Sequence, residues 1–354
     1  MKIVINCVSF NKHSACYSKY FIKCFFTWAC NSHKEDEFIF LVNEECNSQF
    51  LLAPNAREMN TGKKKSSVAL TAFYKIQLPL ILKKIKPDVV IQPFGKAGSG
   101  TVPQIIIFEE SQAEKISGYT VSKAGVCLCF TQHAVQKVRS LFSVHEKKII
   151  QAPFIAEQHI HELSLVQKQQ QLARITNGKA FFLFYDDGIL PEEALCVLKA
   201  FSLFKKRMQS NMQLVVVSIN QILLEEKLRL YKYRADVILL AEEAMNNEIL
   251  QAAYGFIQLN QNGQLSALVT TALLTGIPVI TAPNEGLAEL FDKSLLMPET
   301  ISPEKIAEYL NLLYRDETYR KAVIANGKEK MRSFNAENDC GRLWKTITET
   351  VRKT

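Results

Sequence analysis

The stretch ALLTGIPVIT, residues 272–281, decides the fold of this chain. Its first half is apolar and closes on Gly276, and glycine adopts the left-handed conformation that ends many helices. Pro278 and the β-branched run 279–281 follow, and they are typical of a short buried strand. The stretch therefore predicts a helix, a glycine stop and a strand in direct succession, which is the repeating unit of an α/β fold.

Length and composition predict a globular protein of two domains. A chain of 354 residues is too long for one ordinary hydrophobic core. Its 47% hydrophobic and 22% charged residues are typical of folded proteins. No run approaches the roughly 18 apolar residues of a membrane-spanning helix. Polar residues 11–13 interrupt the apolar start where a signal peptide would be cleaved, so we expect a first strand there.

The cysteines indicate a reduced protein core. There are nine, an odd number, and none of them forms a CxxC pair. Cys127 and Cys129 alternate along an apolar segment, so both point to one face of a predicted strand. We expect reduced cysteines in a cytoplasmic protein, and the ligand spacing of a zinc site is missing, so no metal is predicted.

The positive charge is confined to one half of the chain. Residues 1–160 hold 20 basic and 12 acidic residues, whereas residues 161–354 hold 23 of each, so the first half accounts for the net charge of +8. The densest basic clusters are residues 63–65 and 83–86. The first half faces an anionic membrane, peripherally at the membrane's inner face, or it faces an acidic acceptor. The alternative is that it is an ordinary solvated surface. Nucleic acid is not a predicted partner, because no aromatic and basic residues interleave.

Strand-like and helix-like segments alternate through both halves, which predicts parallel sheets covered on both faces. Thr131 is a predicted N-cap, and the polar, glutamine-rich segment 156–178 is a predicted linker. Strands are predicted at 2–8, 38–41, 88–91, 104–107, 126–130, 180–185, 213–218, 237–240, 255–259 and 278–281. Helices are predicted at 20–30, 70–86, 191–208, 223–233, 243–254, 264–275, 303–313, 317–333 and 337–352.

The segment 263–281 resembles the donor half of GT-B glycosyltransferases of the large retaining family four, or group 1, whose pattern is roughly E-G-F-G-x-x-x-x-E-A-x-x-x-G-x-P-V-I. The resemblance is closest in five segments that follow in the family's order: 78–90, 102–104, 147–154, 177–201 and 276–344.

This resemblance implies two Rossmann-like domains, each a doubly wound parallel sheet, that face each other across a cleft. The acceptor-side domain would be residues 1–160 and the nucleotide-sugar-side domain residues 161–335. The last helix, 336–354, would cross back to the first domain. The resemblance also implies a nucleotide sugar as co-substrate, without a further cofactor.

The two glutamates of the family pattern fall on Gly263 and Thr271. Glycine offers no side-chain group, and threonine is a weak substitute for a carboxylate that accepts hydrogen bonds from a ribose. Asn262 and Gln264 flank Gly263 in a run of amides. Amides both donate and accept hydrogen bonds, so this run is either a reader of sugar hydroxyls or an ordinary polar loop.

The family clamps the donor diphosphate with an Arg-Lys pair, whose positions fall here on Pro191 and Glu192. Cations suit that role because the leaving diphosphate gains negative charge as the glycosidic bond breaks. Asp186, Asp187 and Glu193 surround these positions, so the local charge is reversed. The run is either the acidic, aspartate-capped start of a helix or a site where a metal joins carboxylates to phosphate.

The family's glycine-rich turn after the first strand falls on Tyr17 and Lys19. The resemblance places both in a loop that faces the cleft, where their side chains would fill the space left by glycine. The family's His-Asp pair becomes Glu109 and Glu110. Neighbours on an extended chain point to opposite sides, so at most one of them faces the cleft as an acid or base; the alternative is a solvated loop.

Three functions stay open. The first is an active transferase that moves a hexose from a nucleotide sugar to a glycan or lipid-linked acceptor. The second is an inactive pseudo-glycosyltransferase that serves as a protein partner in polysaccharide assembly, and the third is a carbohydrate-binding module. The glycine turn, histidine, cation pair and glutamate pair are all replaced. A lost charge-stabilising contact costs about 2.7–4 kcal/mol of transition-state stabilisation, so the losses together favour a strongly diverged or inactive member.

Overall fold

The computed structural model of the chain forms two compact units. The first unit is Met1–Glu157 with Asn262–Leu265 and Phe334–Thr354, and the second is Gln158–Gln261 with Ser266–Ser333. The structure describes residues 1–10, 17–44, 50, 53–62, 67–93, 102–108, 124–142, 149–156, 160–187, 190–259 and 265–352.

Each unit contains one parallel sheet. The strands of the first unit are β1 Lys2–Asn6, β2 Glu37–Val42, β3 Ala56–Asn60, β4 Val89–Gln92, β5 Gln104–Phe108, β6 Val126–Cys129 and β7 Ile149–Gln151. Those of the second are β8 Phe181–Asp186, β9 Gln213–Ser218, β10 Val237–Ala241, β11 Gly255–Gln258 and β12 Val279–Thr281. The strand orders are β3-β2-β1-β4-β5-β6-β7 and β10-β9-β8-β11-β12. Both sheets start at a central strand and grow first to one side and then to the other, so the predicted pair of Rossmann-like α/β domains is confirmed.

Helices connect the strands in both units. They are α1 Tyr17–Ser32, α2 Ser67–Ala72, α3 Leu78–Ile85, α4 Gln132–Phe142, α5 Leu165–Thr176, α6 Pro191–Met208, α7 Gln221–Leu228, α8 Asn247–Ala252, α9 Ala267–Leu274, α10 Glu285–Phe291, α11 Pro303–Arg315, α12 Glu317–Ser333 and α13 Ala336–Arg352. As predicted, Thr131 caps α4, because its Oγ1 accepts a hydrogen bond from the N–H of Ala134 at 3.0 Å.

Two edge strands are absent from the prediction. β3 reads Ala-Arg-Glu-Met-Asn and lacks the β-branched residues that indicate a strand. β7 has only three residues. Each pairs on one side only, so their sequences are not under the demand for burial that shapes the central strands.

The segment predicted as a linker contains helix α5 of the second unit, so the linker prediction for 156–178 is wrong there. Ser164 and Gln167 form a reciprocal capping box at its start, and Asn177 ends it in the left-handed conformation. The sequence did not predict this helix because its composition is polar: most of its side chains are exposed and only Thr176 is buried. The capping residues, and not an apolar stripe, define this helix.

The predicted helix 70–86 is interrupted by one wide turn. Residues Phe73–Gln77 form a π-helix between α2 and α3, and the N–H of Leu78 donates to the carbonyl of Phe73. Pro79 explains the change, because it lacks an N–H and its ring crowds the preceding turn of an α-helix.

The first unit includes the last helix of the chain. Trp344 of α13 stacks on His33 with ring centroids 4.2 Å apart, and its ring also meets Phe25 and Phe38. Trp344 is 8% exposed. This aromatic contact fixes α13 against the end of α1 and the start of β2.

A chain of buried amides crosses three strands of the first sheet. Asn6 Nδ2 donates to Gln92 Oε1 at 2.8 Å, and Gln92 Nε2 donates to Gln104 Oε1 at 3.2 Å. These residues belong to β1, β4 and β5, and each is at most 2% exposed. Because buried amides need partners, this chain ties the three strands in one register.

Gly276 ends helix α9 as the sequence predicts. Its φ is +75°, and the N–H of Ile277 donates to the carbonyl of Ala272 at 2.8 Å. A Cβ at Gly276 would lie 2.7 Å from Cε of Lys328 and 3.2 Å from Cγ2 of Ile324. The left-handed backbone therefore favours glycine, and a Cβ would displace the flexible end of Lys328 and press on Ile324 of helix α12.

We expect Gly276→Ala to lower the free energy of unfolding by about 2–4 kcal/mol, from left-handed strain plus crowding against α12. Gly178→Ala is the matched control, because Gly178 has φ +83° with open space around its Cα. The control should lose about 1–2 kcal/mol from strain alone. Urea unfolding measures both, and an unchanged midpoint for Gly276→Ala would contradict this account.

Candidate functional site

The candidate site is the edge at which the parallel strands of the second sheet end. Ligands of doubly wound folds bind outside this edge. Four of its five strands close on a buried polar residue: Asp186 of β8, Ser218 of β9, Gln258 of β11 and Thr281 of β12. Parallel backbone pairing brings these groups to one edge although they lie far apart in sequence.

Asp186 and Ser218 form a hydrogen-bonded pair across two central strands. Ser218 Oγ donates to Asp186 Oδ2 at 2.6 Å and accepts from the N–H of Asn220 at 3.0 Å. Both side chains are at most 5% exposed. A short bond to a carboxylate fixes its position, so the pair holds an acidic group at the middle of the edge.

The hydroxyl of Tyr185 shows that further carboxylates converge here. Tyr185 Oη donates to Glu242 Oε1 at 3.0 Å. The pKa of Tyr185 is raised well above its usual value, first by burial and then by the negative charges of Glu242, Asp187 and Asp186. Three acidic residues from two segments therefore act on one hydroxyl, and the potential at this point is negative.

Helix α6 begins at this edge without a side-chain cap. Its N-cap is Leu190, which makes no capping hydrogen bond, so the predicted cap by an aspartate such as Asp186 is wrong. Pro191 opens the first turn, which also contains Glu192 and Glu193. Glu192 is exposed and Glu193 is buried. The helix dipole favours carboxylates at these positions, and this gives the reversed charge a local structural cause.

A metal ion that joins these carboxylates gains no support. Among the residues that the structure describes, the one group of three ligand-type side chains close enough to share an ion is His33, Glu35 and Asp36 of the first unit. His33 is there stacked on Trp344. The four carboxylates around the start of α6 are described, and they do not form such a group.

Thr271, one position of the family's glutamates, is buried within α9. Ser266 caps that helix through the N–H of Leu268 at 3.2 Å and donates to Gln258 Oε1 at 2.7 Å. This contact ties the end of β11 to the start of α9. Thr271 lies more than one turn beyond this helix start, and its role in binding stays a prediction.

Several predicted site residues lie outside the described residues, and their roles also stay predictions. The side chain of Pro191 is one of these, and the others are Glu109, Glu110, Asn262, Gly263 and Gln264.

Two polar groups that the sequence did not single out complete the edge. Thr281 Oγ1 and Asn284 Nδ2 are buried and have no hydrogen-bond partner in the part of the chain that the structure describes. Asn284 uses its Oδ1 to cap α10 through the N–H of Leu287 at 2.8 Å. Buried polar atoms are nearly always paired, so these two are exceptions near the ends of the strands. The signal in the sequence is an asparagine three residues before Leu287, after the last residue of a strand.

Tyr17 and Lys19 lie in the first turn of α1, so their predicted placement in a loop is wrong. Tyr17 is fully buried. Its Oη donates to the carbonyl of Ile155 at 2.7 Å and accepts from the N–H of Ile155 at 2.8 Å. Its ring stacks on Phe154 with centroids 4.4 Å apart. Where the family has glycine, this chain begins a helix with an aromatic core residue.

Residues 167–330 match the sequence profile of the glycosyl transferases group 1. This segment belongs to that family. It covers the sheet edge described above from β8 to β12, and the resemblance predicted from the sequence is confirmed. No curated protein matches the chain in sequence.

Solved glycosyltransferase structures share the fold over the whole chain. HepE from Anabaena, in complex with UDP-glucose, has a TM-score of 0.75 at 11% identity, covering 99% of this chain and 100% of that one. WaaG, a glycosyltransferase involved in lipopolysaccharide biosynthesis, has 0.71 at 14%, covering 98% and 100%. Sucrose-phosphate synthase from Thermosynechococcus elongatus has 0.75 at 10%, covering 100% of both chains. Similarity at this identity establishes the GT-B fold.

Among the described residues, no helix is both long enough and apolar enough to cross a bilayer.

We expect Tyr17→Phe to lower the free energy of unfolding by about 2–3 kcal/mol, because it leaves the buried N–H and carbonyl of Ile155 without partners. Tyr314→Phe is the control, since Tyr314 is 37% exposed and its hydroxyl makes no hydrogen bond within the described residues. The control should change stability by less than about 0.5 kcal/mol. Equal unfolding midpoints for the two variants would contradict the structural role of Tyr17.

Proposed function

We propose that the protein is a strongly diverged glycosyltransferase-like protein of the retaining GT-B type whose second unit binds sugar hydroxyls and no longer grips a nucleotide diphosphate. Its ancestors transferred a hexose from a nucleotide sugar to a glycan or lipid-linked acceptor. In this proposal the present protein is a catalytically inactive carbohydrate-binding module of polysaccharide assembly.

The observation that carries this proposal is the group of carboxylates around the Tyr185 hydroxyl. Tyr185 Oη donates to Glu242 Oε1 at 3.0 Å, and the charges of Glu242, Asp187 and Asp186 all raise the pKa of Tyr185. A diphosphate brought to this edge would meet like charge where its leaving-group role requires cations. The first turn of α6 adds Glu192 to the same edge.

Sugar hydroxyls suit the edge better than a diphosphate. Carboxylates accept hydrogen bonds from hydroxyls, and Asp186 is held in place for that role by Ser218. Thr281 Oγ1 and Asn284 Nδ2 are buried without partners and can bind a neutral ligand of mixed donors and acceptors. These groups support a carbohydrate ligand without supplying the charge that transfer from a nucleotide sugar needs.

Isothermal titration tests the proposal directly. We expect UDP and UDP-glucose to bind with a Kd weaker than about 1 mM, because no favourable charge offsets the repulsion. A glycan panel should contain a ligand that binds without a nucleotide. Submillimolar binding of UDP-glucose, or its turnover with an acceptor, would overturn the proposal.

A charge-restoring variant sharpens this test. Pro191→Arg/Glu192→Lys puts cations where the family has its Arg-Lys pair, and we expect it to bring UDP binding into the measurable range. Glu337→Lys/Asn338→Arg is the matched control, because it makes the same change of charge in the first turn of α13, where both residues are exposed. Equal gains in the two variants would indicate non-specific attraction and count against a donor edge at α6.

We also propose that the first unit is peripheral at an anionic membrane. Val68, Ile76 and Leu80 are 76%, 61% and 63% exposed and follow one another at spacings of eight and four residues, from α2 through the π-helix to α3. The exposed Lys83 and Lys84 lie at the end of α3. Apolar groups with neighbouring lysines suit the headgroup region of an anionic bilayer, where each cation contributes about 1 kcal/mol.

Co-sedimentation with phosphatidylglycerol vesicles measures this contact. We expect Ile76→Asp/Leu80→Asp to abolish binding, and vesicles of neutral phosphatidylcholine to bind weakly. Leu230→Asp is the control, because Leu230 is 97% exposed but belongs to the second unit. If the wild-type protein does not sediment with anionic vesicles, or the control loses binding equally, this location is wrong.

A further inference from the structure

A cavity of about 400 Å³ lies at the other edge of the second sheet, where its strands begin. Ala180 directly precedes β8, Tyr254 directly precedes β11, and Ile277 lies two residues before β12. Because the strands are parallel, the whole length of the sheet separates this cavity from the acidic edge. It is therefore a separate site within the second unit.

Three basic side chains line the cavity. Lys168 comes from α5, and Arg320 and Lys328 lie eight residues apart on one face of α12. Glu162 is the single acidic residue of the lining, and it pairs with Lys328 at 3.0 Å between Nζ and Oε1. Glu317 reaches Arg320 only at 3.9 Å from the rim. The lining thus carries an excess of two positive charges.

Arg320 uses only some of its N–H donors in contacts within the protein. Its Nε is buried without a partner among the residues that the structure describes, and its Nη2 donates weakly to the carbonyl of Tyr254 at 3.4 Å. The guanidinium lies over the Tyr254 ring, 4.2 Å from its centroid. Stacking fixes the plane of the guanidinium while several N–H donors remain for another acceptor, and this planar fork matches phosphate oxygens.

Lys168 is the second cation without a committed partner. Among the described residues its ammonium makes no ion pair, although it is half-buried. Burial lowers its pKa, the charge of Glu162 opposes this, and Lys328 and Arg320 lower the pKa further. The three cations therefore repel one another in the absence of an anion, and a bound anion would relieve that repulsion.

Most of the remaining lining is apolar, and Gln251 and Thr275 are its uncharged polar residues. Leu172, Ile277 and Ile324 face the cavity together with the ring of Tyr254. Gly276 also belongs to the wall, and a side chain there would collide with Lys328. The glycine that stops α9 thus also leaves room for the lysine.

We propose that this cavity binds a small phosphomonoester, such as a sugar phosphate, with its phosphate between Lys168, Arg320 and Lys328. The dianion matches the excess of two positive charges. The organic part lies against the apolar wall and the tyrosine ring. The site is independent of the carboxyl-end edge and gives the protein a second ligand.

Isothermal titration of the full chain with glucose 6-phosphate, inorganic phosphate and glucose tests this site. We expect glucose 6-phosphate and inorganic phosphate to bind, and glucose to give no heat of binding. Lys168→Gln and Arg320→Gln should each weaken phosphate binding by at least about tenfold. Lys321→Gln is the matched control, because Lys321 lies next to Arg320, is 74% exposed and does not line the cavity. It should change Kd by less than about twofold.

Thermal unfolding of each variant separates binding from folding, and Lys168→Gln carries the test if Arg320→Gln unfolds. If neither phosphate binds measurably, the proposal is wrong. Phosphate binding that Lys168→Gln leaves unchanged would also overturn it, since the anion would then bind elsewhere. Binding of glucuronate in place of both phosphates would replace the phosphomonoester by a carboxylate.

Discussion

The second unit depends on one constraint, the parallel pairing of its strands. Each strand must start at one edge and finish at the other, so backbone hydrogen bonds alone divide the side chains into two groups. The strand ends bring Asp186, Ser218, Gln258 and Thr281 together. The strand starts bring together the walls of the cavity that holds Arg320 and Lys328. The glycine stop at Gly276 is needed for both, because only four residues, 275–278, separate α9 from β12.

The two edges differ in charge, and this difference organises the proposed chemistry. The carboxyl-end edge gathers carboxylates around Tyr185, and the amino-end edge gathers cations around an apolar cavity. A protein that retained the donor chemistry of its family would be expected to place its cations at the first of these edges. Here Arg320 lies at the opposite edge, so the anion site that we propose is separate from the edge at which the family's diphosphate chemistry would take place.

Much of the fold could be predicted from the sequence, because the central strands are buried on both faces and read as apolar runs. β9 and helices α6 and α12 have the predicted bounds. Edge strand β3 and helix α5 were not predicted, because many of their residues are polar and few of them are buried. The site was harder to predict. Pairing between Asp186 and Ser218, 32 residues apart, is created by strand register and leaves no local pattern. The burial of Tyr17 depends likewise on Ile155, which is 138 residues away.

The buried amides of Asn6, Gln92 and Gln104 have a consequence for how the first unit assembles. Asn6 donates to Gln92, and Gln92 donates to Gln104, so the hydrogen bonds of the row have one direction as well as a fixed spacing. If β4 slipped by one residue, its glutamine would turn to the opposite face and leave two amides stranded in hydrocarbon. Apolar strands such as Ile-Ile-Ile would tolerate that slip on their own. The amide row therefore favours the correct register during folding, because a misaligned sheet would bury amides without partners.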